Sequence, residues 1–189
     1  MYNERKAAQV AAYFVAQQGG TIPHLKLMKL MYLAERLSLQ EYGDSMLNDS
    51  LVSMRYGPVL SRTKDCMDGL GDRSLPDGWD GWISDIANYK VGLAKADFSE
   101  EQLDEVSPSE LELMDRVWDE HGGKDQWDLA EFMHQHCTEW KNPGASVRPS
   151  CSNSYDLSGR PPTWAADRFR PGSRPAAQTP VRHPDGLKK

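Results

Sequence analysis

Leu25-Lys26-Leu27-Met28-Lys29-Leu30-Met31-Tyr32-Leu33-Ala34 and, further on, Leu51-Val52-Ser53-Met54-Arg55-Tyr56-Gly57-Pro58-Val59 are the stretches of this 189-residue chain whose reading decides its fold. In the first, apolar side chains recur at Leu27, Leu30, Met31, Ala34 and Leu37, while Met28, Tyr32, Leu33 and Leu39 fill most of the remaining circumference. Lys26, Lys29, Arg36 and Gln40 form only a thin polar stripe. A helix apolar over so much of its surface is packed on several sides, which makes it the central helix of a domain with neighbours from both directions along the chain. In the second stretch the period falls to two. Val52, Met54 and Tyr56 point one way and Leu51, Ser53 and Arg55 the other, as in a half-buried strand. Gly57 frees the backbone to turn, and Pro58, with its preset φ and no N–H to lose, suits the first turn of a following helix.

Toward the N-terminus, Asn3 is placed to cap a helix whose inward stripe is Ala7, Val10, Ala11, Phe14 and Val15, and Gly19-Gly20 stops it. Thr21 and Pro23 mark the start of the central helix, which runs to about Tyr42. So short a link predicts antiparallel packing of the pair. Toward the C-terminus, Val59, Leu60, Cys66 and Met67 read as a third, weaker helix that dissolves in Asp68-Gly69-Leu70-Gly71-Asp72, and a Gly/Asp/Pro-rich loop follows through Trp82. Alternation returns from Asn88 to Ala94, a second strand to pair with the one before Gly57. Ser107-Pro108-Ser109-Glu110 combines a cap, a first-turn proline and a capping-box acid; the helix it opens presents Leu111, Met114, Val117, Trp118 and His121 inward and ends at Gly122-Gly123. A further helix from about Asp125 presents Leu129, Phe132, Met133 and His136. The expected fold is mostly α: a compact domain of about five helices with a small two-stranded antiparallel sheet, over residues 1–149. Residues 150–189 hold Pro161, Pro162, Pro171, Pro175, Pro180 and Pro184 among Arg, Ser and Gly, a composition that predicts a disordered tail.

The order of Leu25–Ala34, Tyr42-Gly43 and Arg55-Tyr56-Gly57-Pro58-Val59 resembles the Panacea domain of the SocA-like antitoxin family. Ser107 and Glu110 match that family's Ser-x-x-Glu helix start, His134 its late histidine and Trp140 the tryptophan after it, so the resemblance covers roughly residues 1–141. It implies a protein that binds a cognate toxin encoded by an adjacent gene and holds it inactive by direct contact. In the SocA-type variant it further implies an adaptor that delivers the toxin to an ATP-dependent protease. A bacterial, phage or prophage origin goes with it. The tail departs from the family, whose members usually continue with an ordered segment and a final short helix. Its abrupt onset at Ser150 and its Arg/Pro/Ala/Gly bias match GC-rich DNA read in an altered frame.

The net charge of −6 is uneven: residues 150–189 carry seven Lys/Arg against three Asp/Glu, about +4, and residues 1–149 carry 15 against 25, about −10. An acidic body lacks the clustered cations that bind a phosphate backbone, so nucleic acid is not an expected partner. It suits a partner that is itself basic. No stretch approaches the roughly 20 apolar residues of a membrane span, and Met1–Lys6 leads into Ala-rich helix rather than an apolar leader. Cys66, Cys137 and Cys151 are odd in number and lack zinc-type spacing, which predicts reduced thiols in a cytoplasmic protein.

His134-Gln135-His136-Cys137 comes closest to a metal cluster, but on a helix His134 and His136 point to different sides, and His134 with Cys137 alone does not complete a tetrahedral site. There is no G-x-S-x-G and no glycine-rich phosphate loop after a strand. Cys66 with a distant histidine is a nucleophile pairing to check in three dimensions, while Asp104-Glu105 and Asp119-Glu120 fall on solvent faces. No catalytic residue, metal or cofactor is therefore expected. The rival classes are a DNA-binding autoregulator, an enzyme with chemistry hidden in a cleft, and a phage interaction module without a toxin. Binding features are better supported: Trp79 and Trp82, in Gly78-Trp79-Asp80-Gly81-Trp82, either anchor a partner or fold back over the small sheet. Arg55 and Tyr56, beside the turn, complete the expected partner-binding set, with a structural role in fixing the turn as the alternative for Tyr56, Gly57 and Pro58.

Overall fold

The computed structural model describes residues 1–142. Its elements run α1 (Glu4–Gln17), β1 (Thr21–Pro23), α2 (His24–Glu41), β2 (Leu51–Met54), β3 (Gly57–Leu60) and α3 (Ser61–Asp65). A π-helical turn, Cys66–Leu70, leads to α4 (Trp79–Trp82), β4 (Lys90–Gly92), α5 (Pro108–His121) and α6 (Gln126–His136). The expected boundary near residue 150 and the predicted disorder beyond it lie outside the described residues.

Helix α2 is the central helix. It packs against α1, α5, α6, β1 and β3, and every residue from Lys26 to Glu35 is buried. Half of the thin polar stripe is enclosed along with the rest, while Arg36 and Gln40 stay half-buried: Lys26 donates to the carbonyl of Gly122 at 2.6 Å, and Lys29 is fully buried. The predicted caps form. Asn3 Oδ1 accepts the Lys6 N–H at 3.1 Å, Ser107 and Glu110 close a capping box, and Gly19 and Gly20 stop α1 at φ of 90° and 94°. Asp125 caps α6 by accepting the N–H groups of Trp127 and Asp128.

The strands pair differently from the expectation. β2 joins β3 in an antiparallel hairpin with Met54 opposite Gly57, while β4 pairs with β1, Thr21 opposite Gly92, so the described residues form two two-stranded sheets. Gly57 lies at φ 95°, directly after the turn residues Arg55 and Tyr56. A left-handed glycine there is the device that fits an ordinary turn to two twisted strands. Pro58 therefore lies in a strand, and the next helix waits until Ser61.

Trp79 and Trp82 fold back. They sit in α4 against α1, 3% and 2% exposed. Ala7, Ala8, Ala11 and Ala12 keep α1 thin enough to be buried among its neighbours, and Glu4 at its start accepts the N–H of Trp79 at 3.2 Å and of Asp72 at 3.2 Å, tying the loop down.

Candidate protein-docking face

The β2–β3 hairpin projects Arg55 and Tyr56 from its tip, and among the described residues three side-chain hydrogen bonds hold it in place, with further contacts bracing the residues that make them. From below, Lys29 Nζ donates to the carbonyl of Pro58 at 2.9 Å. Burial lowers this amine's pKa to about 7. From the side, Trp140 Nε1 donates to the carbonyl of Met54 at 2.8 Å, and the Lys141 N–H reaches Ser53 Oγ at 3.2 Å. The His134 ring stacks on Trp140 with centroids 4.1 Å apart. Next to Trp140, Glu139 accepts from Tyr32 Oη and from Arg36 Nε, both at 2.9 Å, which fixes the last described turn of chain against α2.

The residues thus mounted open onto an aromatic face. Tyr56 is 46% exposed and meets Trp127, 55% exposed, edge to face at 5.6 Å. Tyr89, 78% exposed, lies parallel to His24 at 6.3 Å, and the Arg55 guanidinium sits 5.5 Å from the Tyr56 ring centre. Three of the four exposed large aromatic side chains among the described residues are therefore here, Tyr42 being the other. Asn88 and Tyr89 adopt φ of 51° and 62°. A bulky residue in the left-handed region is strained, and strain of this kind is kept where a side chain must be presented in a set direction.

Two hollows run beneath the aromatic rings and share His24, Leu25 and Tyr56. One, about 260 Å³, is walled by Met28, Met54, Met67 and Val59; the other, about 500 Å³, lies between Tyr89 and Trp127. Arg55 and Tyr56 were expected at the end of a strand, beside a turn at Gly57-Pro58; the structure makes them the turn itself, between Met54 and Gly57. Trp127 and Tyr89 were missed, although Trp127 stands off the Leu129–Met133 core stripe of α6, which marks an aromatic side chain facing outward.

A family model described as "Antitoxin SocA-like, Panacea domain" matches residues 27–141. The chain belongs to the SocA-like Panacea antitoxin family. The hairpin mount joins the two stretches of this chain that carry the resemblance: Lys29 of the helical one supports the Gly57-Pro58 of the other. Neither a curated protein nor a solved structure matches the chain.

The Cys66–histidine pairing is not assembled among the described residues of this Panacea domain. Cys66 is buried against Tyr2, Sγ to Oη 3.5 Å, while His134 lies against Trp140, so the two have separate surroundings. Burial pushes the Cys66 and Cys137 thiols up to about 11 and about 12, away from the thiolate a nucleophile needs. Among the described residues, no three His, Cys, Asp or Glu side chains are grouped to hold a metal ion, and no helix is long and apolar enough to cross a membrane.

Proposed function

We propose that this protein is a non-enzymatic antitoxin that neutralises the toxin encoded by an adjacent gene through direct contact, and that the contact is made by Arg55 and Tyr56 together with Trp127 and Tyr89. The observation that carries this is the bracing of the hairpin that presents Arg55 and Tyr56: Lys29 and Trp140, both matching the family pattern, donate to its Pro58 and Met54 carbonyls, while His134 stacks on Trp140 and Tyr32 holds the neighbouring Glu139. Residues spent on mounting one exposed turn support a role for that turn in recognition. Trp79 and Trp82 leave the proposed contact set because both are buried.

The test is growth of a bacterial host expressing each flanking gene under tight induction, with and without this protein. Arrest by one neighbour and rescue by co-expression is the expected result. Arrest that this protein does not relieve, or no toxic neighbour, overturns the reading. Toxin levels in the rescued cells then separate the two modes: a stable, co-purifying toxin means blocking, and a toxin lost only when an ATP-dependent protease is present means delivery. A mobility shift on the upstream DNA addresses the autoregulator alternative, against which the acidic body weighs.

A further inference from the structure

We infer that the aromatic face takes an acidic, apolar peptide segment of its partner, an apolar side chain seated in the methionine-walled hollow and carboxylates meeting Arg55 and Lys90. This rests on the reading of the face as the partner-binding surface, and adds the chemistry of what it binds.

The charge distribution carries the inference. Residues 1–149 are strongly acidic, yet the two hollows are lined by Arg55, Lys64, Lys90, His24 and the buried Lys29, with Asp68 the sole carboxylate among the described residues that line them. Lys64 pairs with Asp68 one helical turn away, which cancels that acid. Arg55 and Lys90 are exposed, and neither pairs with a carboxylate among the described residues. A cationic, aromatic patch on an otherwise anionic surface selects for the opposite charge locally and repels acidic chains elsewhere, which gives both orientation and specificity. A partner that is basic overall therefore meets this face through an acidic segment.

The apolar half of the motif follows from the walls. Met28, Met54 and Met67 are unbranched and polarizable, so they adapt to an inserted side chain. The rings of Tyr56, Tyr89 and Trp127 offer large rigid contact area at low entropic cost, the usual anchors of an interface. Gln126 and Asn88, on the rim of the larger hollow, supply amide groups for a peptide backbone.

The experiment needs no toxin. A random twelve-residue peptide library displayed on phage is panned on the full chain, and enriched peptides are synthesised and titrated against the full chain and against R55E/K90E. Circular dichroism and a melting curve establish that the double variant is folded. The expected result is enrichment of sequences pairing large apolar residues with Asp or Glu. Their affinity falls at least about tenfold on R55E/K90E and again when the acids are changed to Asn or Gln. Enrichment of basic or uncharged peptides, equal binding to R55E/K90E, or no enrichment overturns the inference. Growth rescue alongside a failed panning leaves the antitoxin reading standing, and acidic enrichment without rescue leaves a docking module whose partner is not a toxin.

Discussion

Lys29 Nζ donates to the carbonyl oxygen of Pro58 at 2.9 Å from a fully buried position, so a potential charge sits directly under the hairpin that carries Arg55 and Tyr56. Burial lowers its pKa from 10.5 to about 7. Between those values the unfolded chain holds a proton that the folded chain lacks, and this group makes stability rise with pH; below about 7 the folded state bears the whole desolvation penalty. The buried thiols and tyrosines oppose the trend at higher pH, which makes the difference between wild type and K29M the quantity to measure. Between pH 7 and pH 8.5, urea unfolding should show wild type gaining about 1–2 kcal/mol on K29M. A difference that does not change with pH would show that Lys29 is not the titrating group.

Glu35 is the acidic counterpart, and its window runs the other way. Its carboxylate accepts the Leu47 N–H at 2.8 Å and the Ser45 hydroxyl, but burial dominates and raises its pKa from 4.5 to about 7. Here the folded chain holds the extra proton, so the contribution is complete below about 4.5 and is lost as pH rises through about 7. Replacing the carboxylate by an amide removes the titration while leaving an acceptor for Leu47. E35Q should therefore match wild type at pH 5 and exceed it by on the order of 1–2 kcal/mol at pH 7.5, by urea unfolding. If E35Q is the weaker protein at both values, the ionised carboxylate is being stabilised rather than endured.

Gly57 and Gly19 separate backbone strain from crowding. Both are in the left-handed region, at φ 95° and 90°; a Cβ on Gly19 meets nothing within 4 Å, whereas one on Gly57 lies 3.2 Å from Lys29 Nζ and 3.6 Å from Met133 Cβ. Each alanine substitution should cost about 1–2 kcal/mol through strain alone, with G57A the more costly because its Cβ presses on the Lys29–Pro58 hydrogen bond. Thermal melts of the two variants decide this; equal losses would mean that the contact with Lys29 adds nothing.

What the sequence made legible is what local chemistry dictates. Asn3, Ser107 with Glu110, and Gly19-Gly20 act within a turn of their own positions, so the helix ends could be read directly. The all-round apolar pattern of α2 predicts burial from several sides, and it is buried so. Strand pairing was beyond this reasoning: alternation marks a strand but names no partner, and Pro58 suits a helix start as well as the strand position opposite Ser53. The Gly- and Asp-rich surroundings of Trp79 and Trp82 describe the backbone well and say nothing of Glu4, whose carboxylate draws that segment onto α1. Of the proposed docking face, Arg55 and Tyr56 were expected from the sequence, though on a strand rather than in the turn. The other half, Trp127 and Tyr89, comes from segments far along the chain that only the fold brings beside Tyr56.

Tyr89 offers the sharpest test of that face, because its backbone and its side chain make opposite predictions. At φ 62° a tyrosine is strained by roughly 1 kcal/mol relative to glycine, while its ring is 78% exposed and lies beside the His24 ring at 6.3 Å. The backbone link of this turn, the carbonyl of Tyr89 accepting from the His24 N–H at 3.0 Å, survives loss of the side chain. Y89G should accordingly leave the melting temperature unchanged or raise it by a few degrees. In the same variant, rescue of a host from the cognate toxin and affinity for the toxin should both decline, by about tenfold or more in the dissociation constant. A stabilised protein that binds less well is the signature of strain retained for recognition. Full rescue and unchanged affinity in Y89G would remove Tyr89 from the contact and leave its strained backbone without a functional account.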